Sequence, residues 1–503
     1  MSVDVIGVYP YGVDLGIPDR TPPLGLAWMG AALERAGFGV AMYDQQVATE
    51  DFDAFVAAAR PKLALLGGTS HGRFVAFDYA RRLKAFDPAI TVVYGGPHAS
   101  FTARETLARV AEIDVVGHGE GEFTAAELAA WKTKGGGRPE DLARISGITY
   151  RAADGVLLTT PPRERLADLD SLPLPARHLF PMARYRLVMD VLALPGTIIM
   201  TSRGCPIECA FCSESHFFGL KYYTRGAANI GDEVEQLVSR YGVRGLVIFD
   251  STFSLRRRHV EAFCDELERR RLVLPWQCQI RAGSVDKELL ARMQRAGCYT
   301  VCFGVESGDQ RVLDRISKGI RLDQVVQLMR WAEDLGLYTK VSFSLGHPEE
   351  TMAEARRTNR FIRKYARYMT FRGYNPGVRV YPGTAVEAFA RARGLLPAGF
   401  DWAAPYENRE NLKLFKLADN VPLLLQPQLG VRELRRLRLG FLLGYVFSPR
   451  YVWTKAVRAF RVGEVGRLWR GFLRGLGFKL RAEEDRVRDV PLGAAPDGSG
   501  RPR

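Results

Sequence analysis

Cys205, Cys209 and Cys212 form a C-x3-C-x2-C run with Phe211 just before the last thiol. Three thiolates can hold three irons of a 4Fe–4S cluster, whose usual complement is four cysteines, and the fourth iron is then open to another ligand. Structural zinc is a second chemistry, since His216, four residues after Cys212, would complete a Cys3His set. A disulfide is disfavoured because three clustered thiols leave one unpaired. The other four of the 7 cysteines, Cys264, Cys278, Cys298 and Cys302, lie in apolar or helical contexts. They read as buried free thiols, which suits a reducing, cytoplasmic compartment.

These thiols need a strand to present them. The run from Gly196 to Thr201 reads as buried β structure, so the cysteines sit on a loop at its carboxyl end, where α/β folds place ligands. Strand–helix alternation continues to about residue 390, with strands predicted at 197–201, 245–250, 276–281, 300–306, 339–345 and 377–381. Their carboxyl ends carry Asp250, Arg281, Glu306 with Ser307 between two glycines, Gly346 followed by His347, and finally Arg379 and Tyr381. Asp250 could cap the following turn, and Arg281 could serve a structural ion pair.

Upstream, predicted strands at 3–9, 39–43, 63–68, 91–95 and 114–117 alternate with helical patterns, the signature of a doubly wound parallel sheet. Its strand ends hold Pro23, Asp44, Thr69, Ser70, Gly95, Gly96, Pro97, His98, Gly117, Glu120 and Gly121. Glycines there let a ligand approach the backbone closely. No G-x-G-x-x-G follows the first strand, so a dinucleotide fingerprint is absent. Asp44, Thr69 and Ser70 can bond a ligand's amides or cap helices.

The cysteine run with its aromatic residue resembles the radical S-adenosylmethionine (SAM) superfamily. Pro22 to Ala27, Gly95 to Ala99 and Gly119 to Glu122, in that order upstream, resemble the cobalamin-binding domain that precedes the radical domain in one large class of it. The resemblance implies an α/β protein: a Rossmann-like cobalamin-binding sheet, then a partial (β/α)6 TIM-like barrel, then a mostly helical C-terminal region. It implies a 4Fe–4S cluster on the three cysteines, and SAM held by Phe211, Asp250, Arg281, Glu306, Ser307 and Gly346. Cobalamin would be bracketed by the strand-end residues named above. Because D-x-H-x-x-G is absent and Ser70-His71-Gly72 lacks the aspartate, cobalt has no evident histidine ligand, and His98 reads as a loop histidine without a cobalt bond ahead of a ligand. The implied activity is transfer of a methyl group to an unactivated carbon of a small-molecule or lipid-like substrate, with a flavodoxin or ferredoxin as reductant. Cyclisation or rearrangement without methyl transfer is the alternative, and a zinc-stapled basic binding protein the alternative of another class.

The sequence divides as 1–135 for cobalamin, 136–195 as a connector with a small hairpin, and 196–390 for the radical domain. A basic helical region at 391–481 and a disordered tail at 482–503 follow. Residues 431–481 hold 13 Lys or Arg and 2 Glu, most of the net charge of +15. An amphipathic helix at 465–481 with an arginine face suits either a packed helix with a solvated basic side or peripheral contact with an anionic membrane. Nucleic acid is not expected, since no binding module accompanies the charge. No signal peptide opens the chain, and no apolar run approaches the roughly 20 residues of a membrane span.

Overall fold

The computed structural model describes residues 3–12, 20–185, 187–189, 194–415, 419–446 and 453. The expected amphipathic helix at 465–481 and the tail at 482–503 lie outside them.

Five strands, β1 (Val5–Tyr9), β2 (Val40–Asp44), β3 (Leu63–Leu66), β4 (Thr91–Tyr94) and β5 (Val115–Gly117), pair in parallel in the order 2-1-3-4-5. β3 and β4 are buried at every position, as expected of strands with helices on both faces. The strand order reverses at β1, so the natural crevice lies outside the carboxyl ends of β1 and β3. The expected hairpin forms as β6 (Ile148–Arg151) and β7 (Leu157–Thr159), and it extends this sheet antiparallel to β5.

The second sheet opens with β8 (Leu187–Met189), which turns back on β9 (Leu194–Ile199). A short pair, β10 (Ser202–Arg203) with β11 (Tyr223–Thr224), frames the cysteine loop. Then β12 (Leu246–Ile248), β13 (Trp276–Gln279), β14 (Cys298–Glu306), β15 (Tyr338–Ser344) and β16 (Phe371–Asn375) follow. The order is 16-15-14-13-12-9-8 with six parallel strands, an open half-barrel. Amphipathic helices such as Ala227–Tyr241, Arg257–Arg269 and Leu322–Asp334 close its outer face over Trp276, Phe303 and Phe343.

The sixth barrel strand corrects the sequence reading. It is Phe371–Asn375, in register with Lys340 to Ser344, and not 377–381. The alternation at 377–381 is real but pairs elsewhere: Val380 donates to the Pro422 carbonyl at 2.8 Å and Leu424 to that of Val378 at 2.8 Å. Arg379 and Tyr381 therefore stand on a loop beyond the last strand. Among the described residues no helix is long and apolar enough to cross a membrane.

Candidate functional site

The cysteine loop is held from below by Asp250. Its carboxylate, 2% exposed, accepts from the Thr201 amide, the Thr201 hydroxyl and the Ser202 hydroxyl, each at 2.6 Å. His259 completes the knot through Nε2, 2.8 Å from the Thr201 hydroxyl. The structure thus gives Asp250 the work of fixing the strand end that launches the cysteines.

Cys205, Cys209 and Cys212 are half-buried free thiols on the loop that follows. Burial pushes Cys209 up and Cys212 up to about 11, while the charges of Lys318 and Arg281 pull Cys209 the other way. Arg281 stands close enough to Cys205 and Cys209 for their charges to interact, and its Nη2 donates to the Gly319 carbonyl at 2.6 Å. Three soft donors on one loop, with Arg281 near two of them and Lys318 near Cys209, suit a cluster that holds negative charge and leaves one metal corner open. His216 is exposed and lies on the helical turn after Cys212.

Glu306 is the most unusual residue at the strand ends. A register shift between Gly304 and Glu306 breaks β14, and Glu306 takes a left-handed φ of 68°. A bulge of this kind re-aims a side chain. One carboxylate oxygen lies 3.0 Å from Lys318 Nζ, and the other accepts from the Ser344 hydroxyl at 3.0 Å. The Lys318 ammonium holds the acid below its ordinary range despite burial. The sequence signal was the pair of flanking glycines, and both have reasons. A Cβ on Gly304 would stand 2.2 Å from a Glu306 oxygen, and one on Gly308 would stand 2.5 Å from Phe361.

Ser344 also lies 2.9 Å from His347 Nε2, and burial pushes that histidine down to about 4. Phe211 packs against His347 at 5.8 Å and under Lys318 at 5.6 Å. Gly346, at φ 85°, donates its amide to Glu350 at 2.6 Å. Ser307 does not join this group: its hydroxyl is buried against Thr358 at 2.9 Å. Lys318 escaped the sequence reading, although Ser317 and Gly319 around it both turn left-handed and mark an unusual loop.

At the first sheet, Gly96 has a φ of 97°, and a Cβ there would meet the Gly68 carbonyl at 2.9 Å, while one on Gly95 or Gly117 would meet nothing within 4 Å. Thr69 and Pro97, at neighbouring strand ends, are exposed, and Pro23 is partly so. His98 is 1% exposed, bonds Ser70 through Nδ1 at 2.9 Å and lies edge-on to Trp402. His71 sits 3.1 Å from Asp419 and 3.3 Å from the Tyr381 hydroxyl. Asp44 accepts from the Tyr185 hydroxyl at 2.6 Å, tying down the connector. Gly121 lets the helix of Glu122 approach Met29.

The strand ends of the two sheets face each other. After β5, Glu120 and Glu122 meet Arg203, just before the cysteine loop, at 2.7 and 2.6 Å. After β3, His71 meets Tyr381, beyond β16. β9 and β16 flank the other parallel barrel strands, so Asp250, Arg281, Glu306 and Gly346 lie between these two contacts.

The family model for the radical SAM superfamily matches residues 199–362, and that for the B12 binding domain matches residues 14–129. A protein of Pyrococcus horikoshii named as an uncharacterized methyltransferase is 31% identical over 379 residues, covering 75% of this chain and 80% of that one. The anaerobic magnesium-protoporphyrin IX monomethyl ester cyclase of Rubrivivax gelatinosus is 25% identical over 357 residues, covering 69% and 63%. Among solved structures, the radical SAM methyltransferase TsrM of Kitasatospora setae, with cobalamin and a [4Fe-4S] cluster bound, shares the fold with a TM-score of 0.63. Its identity is 22%, with 87% of this chain and 82% of that one covered.

Proposed function

Because this chain belongs to the cobalamin-dependent radical SAM enzymes, we propose that it transfers a methyl group to an unactivated carbon of its substrate. Its cofactors are a 4Fe–4S cluster, SAM and cobalamin, so the zinc-stapled binding protein is set aside. When bound, they supply an electron, a hydrogen-abstracting 5′-deoxyadenosyl radical and the methyl group.

The chain's own residues orient and exclude water. Cys205, Cys209 and Cys212 would hold the cluster, on a loop that Asp250 fixes. Arg281 and Lys318 supply positive charge beside it, where a SAM carboxylate is most readily accepted. Glu306, re-aimed by its bulge and held anionic by Lys318, is poised for a ribose hydroxyl. Gly95, Gly96, Pro97, Thr69, Gly117 and Pro23 would form the rim under the corrin, with no histidine offered to cobalt. No protein nucleophile is required.

The observation that carries this reading is the opposition of the two strand-end faces. Methyl transfer needs the methyl donor and the hydrogen-abstracting group within about 3–3.5 Å of the same carbon. Two cofactors on facing rims can meet that demand. Cyclisation, the activity named for the Rubrivivax relative, would add no carbon. Comparing cell extracts with and without the gene by mass spectrometry separates the two. A compound heavier by a methyl group, found only with the gene, supports transfer. A product of unchanged carbon count found only with the gene overturns it.

A further inference from the structure

β15 ends at Ser344, and the chain then turns sharply through Gly346 to Glu350. The backbone of this turn is pinned from two sides. The Glu350 carboxylate accepts from the Gly346 amide at 2.6 Å and from the His347 amide at 3.1 Å. The Gln426 side chain donates to the His347 carbonyl at 2.8 Å. So held, His347 is 0% exposed, and its Nε2 lies 2.9 Å from the Ser344 hydroxyl. A side chain covered to that degree acts through its neighbours.

The direction of the hydrogen bonds along this line follows from its ends. Glu306, held ionised beside Lys318 at 3.0 Å, can only accept. The single proton of the Ser344 hydroxyl therefore goes to Glu306, at 3.0 Å. That leaves the serine oxygen as an acceptor, so the ring proton of His347 sits on Nε2. Burial keeps the imidazole neutral by pushing its pKa down to about 4. Nδ1 then carries no proton, and among the described residues it has no hydrogen-bond partner. A buried acceptor without a partner costs stability. A hydrocarbon side chain would fill the same place without that cost, so what the histidine adds is the Nε2 donor.

We propose that His347 is a positioning residue for SAM binding: its Nε2–H turns the Ser344 hydroxyl toward Glu306, and the serine and Lys318 together aim the carboxylate. A serine hydroxyl rotates to suit whatever it meets. The imidazole removes that freedom by occupying the serine's acceptor side, so the serine proton has one destination. This rests on Glu306 taking a ribose hydroxyl of SAM.

SAM is titrated calorimetrically, without reductant, into the anaerobic protein loaded with cluster and cobalamin. His347→Leu removes the donor and stays apolar. It should weaken SAM binding about fivefold to tenfold, the scale of one hydrogen bond. His347→Gln, whose amide nitrogen can donate to Ser344, should recover most of that loss. Ser344→Ala should reproduce the loss, and adding His347→Leu to it should change affinity by less than about twofold. Cluster and cobalamin absorbance verify loading, and His347→Met stands in if His347→Leu does not load. Wild-type affinity in the loaded apolar variant overturns the proposal. So does an equal loss in His347→Gln, which would make ring shape the cause, or a full further loss on Ser344→Ala, which would route the effect elsewhere. Glu306→Gln separates the two levels. If it leaves SAM affinity unchanged, the ribose assignment falls and this proposal with it. A loss there with none in His347→Leu overturns this proposal alone.

Discussion

Arg203 donates from Nη2 to Glu122 at 2.6 Å, joining the loop of the first sheet to the residue two places before Cys205. Its other arm reaches Glu120 at 2.7 Å, and its guanidinium lies 4.9 Å from the Trp28 ring. The guanidinium is 6% exposed in its surroundings, so this is a buried, bidentate junction between the two cofactor-bearing loops. It fixes the loop after β5 relative to the cysteine loop, with Glu120 as one of its two acids.

Replacing Arg203 by Met leaves two buried carboxylates without their cation. Breaking a buried pair in this way costs about 3–5 kcal/mol. Chemical denaturation of Arg203→Met should show a loss of that size, and adding Glu122→Gln should recover part of it. A loss below about 1 kcal/mol, the scale of surface pairs, would mean that the junction is not formed.

Glu306 and Lys318 act as one unit, so their substitutions should not add. Glu306→Gln and Lys318→Met are each expected to lower SAM affinity by one to two orders of magnitude, as loss of a charge-assisted contact does. The double variant should be little worse than either single one. Titration with SAM in the cluster-loaded protein tests this. Full additivity would place the two residues in separate roles.

Asp250→Asn should loosen the cluster rather than weaken SAM binding. The amide nitrogen would confront one of the donors of Thr201 and Ser202, at about 1–3 kcal/mol for the buried group left unsatisfied. Iron should be lost to a chelator faster than from wild type. Unchanged iron retention with weakened SAM binding would restore the direct role toward SAM.

The contribution of Glu350 to stability should fall as pH rises from about 4.5 to about 7. Burial pushes Glu350 up from its ordinary value to about 7, although the Gly346 and His347 amides act against it. The unfolded chain releases this proton near its ordinary carboxylate pKa, and the folded chain keeps it until about pH 7. Its contribution is therefore fully present at low pH and declines up to about pH 7, by at most about 3 kcal/mol. Glu350→Gln should flatten that slope in denaturation curves at pH 5 and 8. An unchanged slope would assign the pH dependence elsewhere.

The strands of both sheets were legible because each is a short apolar run that must be covered on two faces, and the cysteine spacing was legible because three thiols so placed have few uses. Residues 377–381 misled because alternation signals pairing without naming the partner, and Val378 and Val380 pair with 422–424 rather than with β15. Ser307 and Glu120 stood at the right strand ends, yet their side chains answer to Thr358 and Arg203. These are distant residues whose contacts no local pattern records. Lys318 was missed for the same reason, since its acid is twelve residues away across a bulge.

The most direct test of the account supplies purified, anaerobically reconstituted protein and its substrate pool with SAM carrying a deuterated methyl group. Mass spectrometry follows the product, and 5′-deoxyadenosine is quantified in parallel. Methyl transfer between the facing rims predicts a product bearing the labelled methyl, formed together with 5′-deoxyadenosine and only when cobalamin is loaded. Formation of 5′-deoxyadenosine with an altered product that carries no label would contradict it.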